Sequence, residues 1–324
     1  MQDTPRSVVL GLDLGGTKLA AALFFADGKI LCRTSTQLRS RRGKQVGALI
    51  CAQLKKLRRV ASHHGCRVAV VGVCVPGIAD AKTGRVWAPN IAGWEDYALR
   101  AEIVAALGRE TIPVVVDSDR TAYILGEAWQ GAARGCRDAI FLAVGTGIGA
   151  GILVNGEVLR GAHNIAGATG WLALERPFRE EFTACGCFEH YASGTGLAKS
   201  AQRLLAGTPD DRGRRRKLNL TAADLFRAAD AGDTVAVQVL RSAVELWGMA
   251  SANLVSLFNP EKIIFGGGVF GPARRRLGAI RAEAKQWAQP ISMRRVKFVP
   301  SQLGDAAGLY GAGFLALRGR PASP

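Results

Sequence analysis

One order of local signals occurs twice in this sequence, and it limits the fold more than any other feature. Ser7 to Asp13 is a short β-branched apolar run that ends in glycines, the mark of a buried strand. Ala20 to Phe25 and Ile30 to Ser35 flank the turn Ala26-Asp27-Gly28-Lys29, and Asp-Gly between apolar runs signals a hairpin. The succession returns further on. A strand, Ala139 to Val144, meets the glycine turn Gly145-Thr146-Gly147; then come a strand, Gly151 to Val154, the hairpin turn Asn155-Gly156 and Val158-Leu159. A duplicated α/β lobe is the economical explanation.

The intervening segments fit that plan. Helical spacing runs over Val46 to His63, Asp119 to Gln130, Glu189 to Leu205, Thr221 to Ala229, Thr234 to Phe258, Arg274 to Trp287 and Asp305 to Leu317. Further strands are expected at Val68 to Val75, Val114 to Val116, Lys262 to Phe265 and Val296 to Val299. A chain of 324 residues is too long for one small core and suits two lobes. The expected division is 1–117 for an N-terminal α/β lobe and 118–304 for a C-terminal one, with the helix 305–319 packing back on the first. A cleft between the lobes follows as an expectation.

Composition narrows the setting. No apolar run approaches the roughly 20 residues of a bilayer span. About seven residues precede Val8-Val9-Leu10, too few for a secretory layout. Seven scattered cysteines without such a signal read as reduced thiols. A cytoplasmic protein without a membrane partner is expected. The net charge is +17, from 43 Lys and Arg against 26 Asp and Glu. Its basic runs are short and separate, as in Arg39 to Lys44 or Arg274 to Arg276, and lack the interleaved aromatics that stack bases. They read as solvated surface, with no nucleic-acid partner. Arg212 to Lys217 reads as an exposed loop.

Three glycine turns follow strands: Gly15-Gly16-Thr17, Gly145-Thr146-Gly147 and Gly266-Gly267-Gly268. Such turns let backbone N–H groups approach an anion closely, although a tight turn also needs glycine for steric reasons alone. The first is not a P-loop, because Thr17-Lys18 stands where Lys-Ser/Thr is required and a strand follows. The second has alternating glycines but also runs into a strand, whereas a dinucleotide fingerprint opens a helix. Hairpin-type phosphate loops remain. Asp13, at a strand end beside the first of them, suits a magnesium ion held through its waters, or serves simply to form the turn.

At these residues the chain resembles the ROK family (repressor, open reading frame, kinase) of the actin-like, ribonuclease H-like sugar kinase fold. The resemblance runs nearly end to end. It rests on Asp13-Leu14-Gly15-Gly16-Thr17-Lys18, Pro76-Gly77, Pro89-Asn90 to Trp94, Asp119 with Leu125-Gly126-Glu127, and Gly145 to Gly149. It continues through Gly186-Cys187-Phe188-Glu189, Tyr191 to Gly194, Gly266 to Gly268, and Leu303 to Gly308. It implies an ATP-dependent kinase that phosphorylates a hydroxyl, expected to be the 6-hydroxyl, of a hexose, amino sugar or sugar-like cyclitol. Asp119 matches the family's catalytic base. Asp13, Gly15 to Lys18 and Gly145 to Gly147 would serve the ATP phosphates and Mg2+, and Gly266 to Gly268 would face the adenosine. Gly77, Asn90, Ser118 and Glu189 match the sugar site. A homodimer is implied by analogy.

The departures from the family pattern concern the sugar and the metal. Ser118 stands where the family usually has Asn. Ala168 replaces a sugar-binding carboxylate, and Trp171 replaces a histidine that serves both sugar and zinc. Glu180, Phe182 and Thr183 occupy the first part of the zinc motif, and Cys187 alone keeps a matching ligand position. Tetrahedral zinc needs four ligands, so no family-type zinc is expected; a regrouping of Cys185, Cys187, His190 and His163 is the alternative. Trp171 either packs on an apolar face of the substrate or fills the vacated zinc region. An acceptor other than ordinary glucose is expected. Two competing functions remain. A repressor would need a helix-turn-helix before the first strand, and that strand already begins near Ser7. A sugar-binding sensor of the same family would have to dispense with Asp119 and the phosphate loops.

Overall fold

The computed structural model describes residues 5–206 and 220–319; the basic run Arg212 to Lys217 lies outside the described residues. The chain divides into two compact units. One comprises residues 1–135, 160–166 and 306–324, and the other comprises 136–159 and 167–305. The expected boundary at 117/118 therefore moves to 135/136, and a short later segment also joins the first unit.

The first unit holds strands β1 (Arg6–Leu14), β2 (Lys18–Phe24) and β3 (Ile30–Gln37), helix α1 (Lys44–His63), β4 (Cys66–Val75), the two-residue strands β5 (Ile78–Ala79) and β6 (Val86–Trp87), α2 (Leu99–Leu107), β7 (Val114–Ser118) and α3 (Asp119–Gln130). The second holds β8 (Ala139–Val144), β9 (Ile148–Val154), β10 (Glu157–Val158), α4 (Cys187–Ala192), α5 (Gly194–Ala206), α6 (Ala222–Asp230), α7 (Thr234–Phe258), β11 (Lys262–Gly266), α8 (Phe270–Ala273), α9 (Leu277–Trp287), α10 (Pro290–Arg295) and β12 (Lys297–Pro300). The last helix, α11 (Ala307–Arg318), belongs to the first unit. Among the described residues no helix is long and apolar enough to cross a membrane.

The duplication read in the sequence reaches the whole of each sheet. The orders are β3-β2-β1-β4-β7 and β10-β9-β8-β11-β12. In each, three antiparallel strands adjoin two parallel ones. The second hairpin closes through Asn155 at φ 54 and Gly156 at φ 81, the paired left-handed residues of a tight hairpin turn.

Burial of β1 on both faces explains its unbroken apolar run. Val8, Leu10, Leu12 and Leu14 pack with Ile50, Leu54 and Leu57 of α1. Val9 faces the opposite side, with Phe24, Val70, Leu309 and Ala316. There α11 also meets α3, and this contact sets the boundary of the unit. The two helices pack at backbone distance. A Cβ on Gly311 would collide with the Ala122 carbonyl oxygen, and one on Gly126 with the carbonyl of Ala307. Helix α3 thus stays with the first unit although the strand before it had looked like the end of the lobe.

Two expected helices are interrupted. The span Glu189 to Leu205 is broken at Ser193, whose backbone is extended. Ser193 Oγ accepts from the N–H of Gly196 at 3.0 Å, and the Gly194 N–H donates to the Gly145 carbonyl at 2.7 Å. The break exists to reach the glycine turn. Arg274–Arg276 is a 3-10 turn ahead of α9 rather than its first turn.

The close approach of α3 and α11 makes a direct test. Gly311→Ala is expected to destabilise the protein by about 1–3 kcal/mol in urea unfolding, as overpacking does. Gly278→Ala, where a Cβ meets open space in α9, is expected to show no such loss.

Candidate active site

Strand register brings the acidic residues of the first unit together. Asp13 on β1 pairs with Cys74 on β4, and Cys74 pairs with Asp117 on β7. These positions stand abreast where the parallel strands end, the edge at which open α/β sheets bind ligands. Asp119 follows at the start of α3.

Each carboxyl has its own environment. Asp117 is 5% exposed. Its Oδ1 accepts the Ser118 N–H at 2.7 Å, and its Oδ2 takes Arg160 Nη2 at 2.7 Å and Nε at 3.1 Å. Ser118 caps α3, its Oγ accepting from the Thr121 N–H at 3.3 Å. Asp119 Oδ1 accepts the Arg120 N–H at 2.8 Å; among the described residues no donor is bonded to Oδ2. Burial raises the Asp119 pKa to about 6, against the pull of the Arg120 charge and N–H. Asp13 is pushed up to about 7, first by burial, then by the charge of Asp119, with Lys18 opposing. The two carboxyls repel, so their protons leave in steps that belong to the pair. The Cys74 thiol is driven well above its usual value by burial and by Asp13, Asp117 and Asp119, so it is not a thiolate nucleophile.

Asp13 fits a divalent cation. Its carboxyl resists ionising because burial, and then the charge of Asp119, disfavour the anion, and a cation would relieve that cost. A Cβ on Gly308 would lie 2.5 Å from Asp13 Oδ2, so only glycine lets the start of α11 come up to the carboxyl. The adjoining loop closes through a bond from the Gly15 N–H to the Lys18 carbonyl at 2.9 Å. Gly16, Thr17 and Lys18 are exposed, and a Cβ on Gly16 would meet nothing within 4 Å. The open backbone there can accept an anion.

The other first-unit residues lie on loops with firm anchors. Gly77 sits at φ 92, with Trp87 so close that a Cβ would strike its carbonyl. Asn90 is exposed. Its loop is held by Trp94, buried and stacked on Tyr97 at 4.4 Å, with Nε1 donating to the Gly43 carbonyl at 3.1 Å.

In the second unit the glycine loops adjoin one another. The Gly145 N–H donates to the Gly147 carbonyl at 2.9 Å, and a Cβ on Gly145 would lie 4.0 Å from the Gly268 nitrogen. The Val269 N–H donates to the Val144 carbonyl at 3.0 Å, which seats Gly266 to Gly268 beside Gly145 to Gly147. Thr146 is exposed. Glu189 Oε2 accepts the Ile148 N–H at 2.6 Å, and a Cβ on Gly147 would meet that same oxygen at 2.7 Å. Glu189 therefore braces the phosphate-type loop with one oxygen. Burial raises its pKa, and the Ile148 N–H opposes the rise.

Ala168 precedes the 3-10 turn Thr169–Trp171, which packs on Glu189 through Gly170. Trp171 is 57% exposed. It is therefore not a core aromatic filling the vacated zinc region. Phe182 does fill that region. It is buried against His190 at 5.5 Å, Tyr191 at 5.7 Å and Phe178 at 6.1 Å between ring centres. His190 Nε2 lies 2.8 Å from Arg203 Nη2 and 3.4 Å from Glu181 Oε2. Burial and the Arg203 charge lower its pKa. An aromatic and ionic cluster thus occupies the ground of the metal motif.

Sequence reading passed over Asp117, Arg120 and Arg160. The register of β4 with β7 reveals the first. The run Asp117-Ser118-Asp119-Arg120 was the available signal for the second. Arg160 gave none.

A family model described as the ROK family matches residues 9–319. The chain belongs to the ROK family. A glucokinase of Halalkalibacterium halodurans is 32% identical over 94% of both chains. A ROK hexokinase structure from Thermus thermophilus matches with TM-score 0.78 at 31% identity, over 96% of this chain and 98% of that one. A ROK glucokinase from Streptomyces griseus, in complex with glucose and AMPPNP, matches with TM-score 0.76 at 32% identity, over 96% and 100%.

The raised Asp13 pKa predicts a trade between stability and function. An acid whose folded pKa lies above its unfolded value costs nothing at low pH. The cost grows from pH 3.8 to about 7 and is constant above. Asp13→Asn is expected to be more stable than the unaltered protein at pH 8, by on the order of 2–4 kcal/mol, with the advantage vanishing near pH 4. Urea unfolding at the two pH values checks this.

Proposed function

We propose that Asp119 is the general base of this ATP-dependent sugar kinase, and that Asp13 holds the nucleotide's magnesium through that ion's waters. The observation that carries the reading is Asp119 itself. It stands at the end of the sheet edge, with a pKa of about 6 and one oxygen not engaged by the protein.

The chemistry needs little covalent work from the chain. An acceptor hydroxyl gives its proton to Asp119. The acceptor oxygen forms a bond to the γ-phosphorus, the bond from that phosphorus to the β,γ-bridging oxygen breaks, and ADP leaves. Magnesium, when bound, neutralises phosphate charge. The Gly15 to Thr17 loop and the Gly145 to Gly147 loop each offer backbone N–H groups to phosphate, and Gly266 to Gly268 face the adenosine. Lys18 adds positive charge beside Asp13. A pKa near 6 suits the base, because it is ionised at neutral pH yet close enough to take a proton.

The acceptor is a hexose-like polyol; the residues that match the family's sugar positions are Gly77, Asn90, Ser118, Ala168, Trp171 and Glu189. Loss of one hydrogen-bond partner to a sugar hydroxyl costs about 1–3 kcal/mol, or roughly 10- to 100-fold in affinity. Ala168 and Trp171 therefore argue against ordinary glucose as the preferred acceptor. The reading includes no structural zinc, since Phe182 and its ring partners fill that region.

Asp119→Asn is expected to lower kcat by about 10²–10⁴-fold without loss of melting temperature. In the unaltered protein kcat/KM should rise with pH through an ionisation near 6. ADP release measured from pH 5 to 8 checks both. A flat profile, or a variant of full activity, contradicts the assignment; no turnover with any sugar in a broad panel favours a sensor.

A further inference from the structure

Arg120 has no role in the mechanism above, yet it follows the base directly. Its Nη2 reaches the Gly77 carbonyl and its Nη1 the Ile165 carbonyl, each at 3.5 Å. Both contacts are at the limit of hydrogen-bond length. Among the described residues no carboxylate lies within ion-pair distance of this guanidinium, whereas Arg160, on the same segment as Ile165, is paired with Asp117. A half-buried arginine held only by two distant carbonyls retains most of its five donors and all of its charge.

Its position points to the acceptor rather than to the nucleotide. Arg120 opposes the raised pKa of Asp119. The charges felt by Asp13, on the magnesium side, are those of Asp119 and Lys18. Gly77, which one arm of the guanidinium touches, is one of the residues assigned to the acceptor.

Resting on the kinase reading, we propose that Arg120 is a specificity-determining residue that binds an anionic group on the acceptor, so that the substrate is a sugar acid or a sugar phosphate. The planar fork of arginine pairs with carboxylate or phosphate through two parallel bonds. The strongly positive chain, +17 overall, also favours encounter with an anionic acceptor.

The test measures ADP release with D-gluconate and D-glucuronate, with glucose 1-phosphate, and with D-glucose, N-acetylglucosamine and myo-inositol. Calorimetric binding of the same compounds beside a non-hydrolysable ATP analogue accompanies it. The expected result is a kcat/KM for one anionic class at least ~100-fold above the best neutral sugar, a ratio that Arg120→Gln lowers by ~10- to 100-fold and Arg120→Lys lowers less. The two anionic arms separate carboxylate from phosphate. Glucose turned over above ~10⁴ M⁻¹s⁻¹ with no anionic acceptor exceeding it would overturn the proposal. So would an Arg120→Gln variant, folded by its melting curve, that loses neutral and anionic activity by the same factor. Anionic sugar bound in an Arg120-dependent way without turnover upholds the proposal and counts against the kinase reading. The absence of both turnover and binding of every anionic sugar refutes it.

Discussion

Two half-buried carboxyls held close enough to repel one another are the constraint on which this structure turns. Asp13 lies next to the end of one strand and Asp119 starts the helix that directly follows another, and among the described residues neither has an ion-pair partner as Asp117 has in Arg160. Burial accounts for most of both raised pKa values, and for Asp13 the second charge adds to it. A fold maintains such a pair only if its framework is firm. Here that framework is a sheet buried on both faces, with α11 at backbone distance from α3. The strain is useful because the two groups differ. One lies beside a lysine and a glycine loop, the other beside an arginine and an acceptor loop. The difference in neighbours supports the proposal that one serves a cation and the other takes a proton.

The repeated order of strand, glycine turn, strand and hairpin was legible because each signal is local. Apolar runs, Asp-Gly and Asn-Gly report on a few residues at a time, and both five-stranded sheets grew from them. Asp13 was legible for the same reason, as an acid at a strand end beside a turn, whereas Asp119 was legible through its match to the family's catalytic base. What escaped depended on distant contacts. The unit boundary shifted past α3 because Gly126 and Gly311 match across two helices that lie far apart in the sequence. The long helix through residue 193 broke because the Gly194 N–H was needed by Gly145. The pairing of Asp117 with Arg160 spans 43 residues, and nothing near Arg160 announces it.

The second unit repeats the plan with a different outcome. By register Ala143 stands in the place of Asp13 on its first strand, and its loops are braced from outside by Glu189 and by the Gly194 N–H. One copy thus carries the acid chemistry and the other a bare backbone surface. Trp171 and Phe182 show how the remaining differences from the family are absorbed. The tryptophan is exposed, and the phenylalanine is buried among Phe178, His190 and Tyr191.

The most direct measurement of this account is the titration of the aspartate carboxyl carbons by NMR, in protein labelled with ¹³C at aspartate and assigned through Asp13→Asn and Asp119→Asn. Two carboxyls should titrate near pH 6 and 7, and magnesium with an ATP analogue should lower the Asp13 midpoint. Both carboxyls titrating near the ordinary value of about 4, with no response to magnesium, would contradict it.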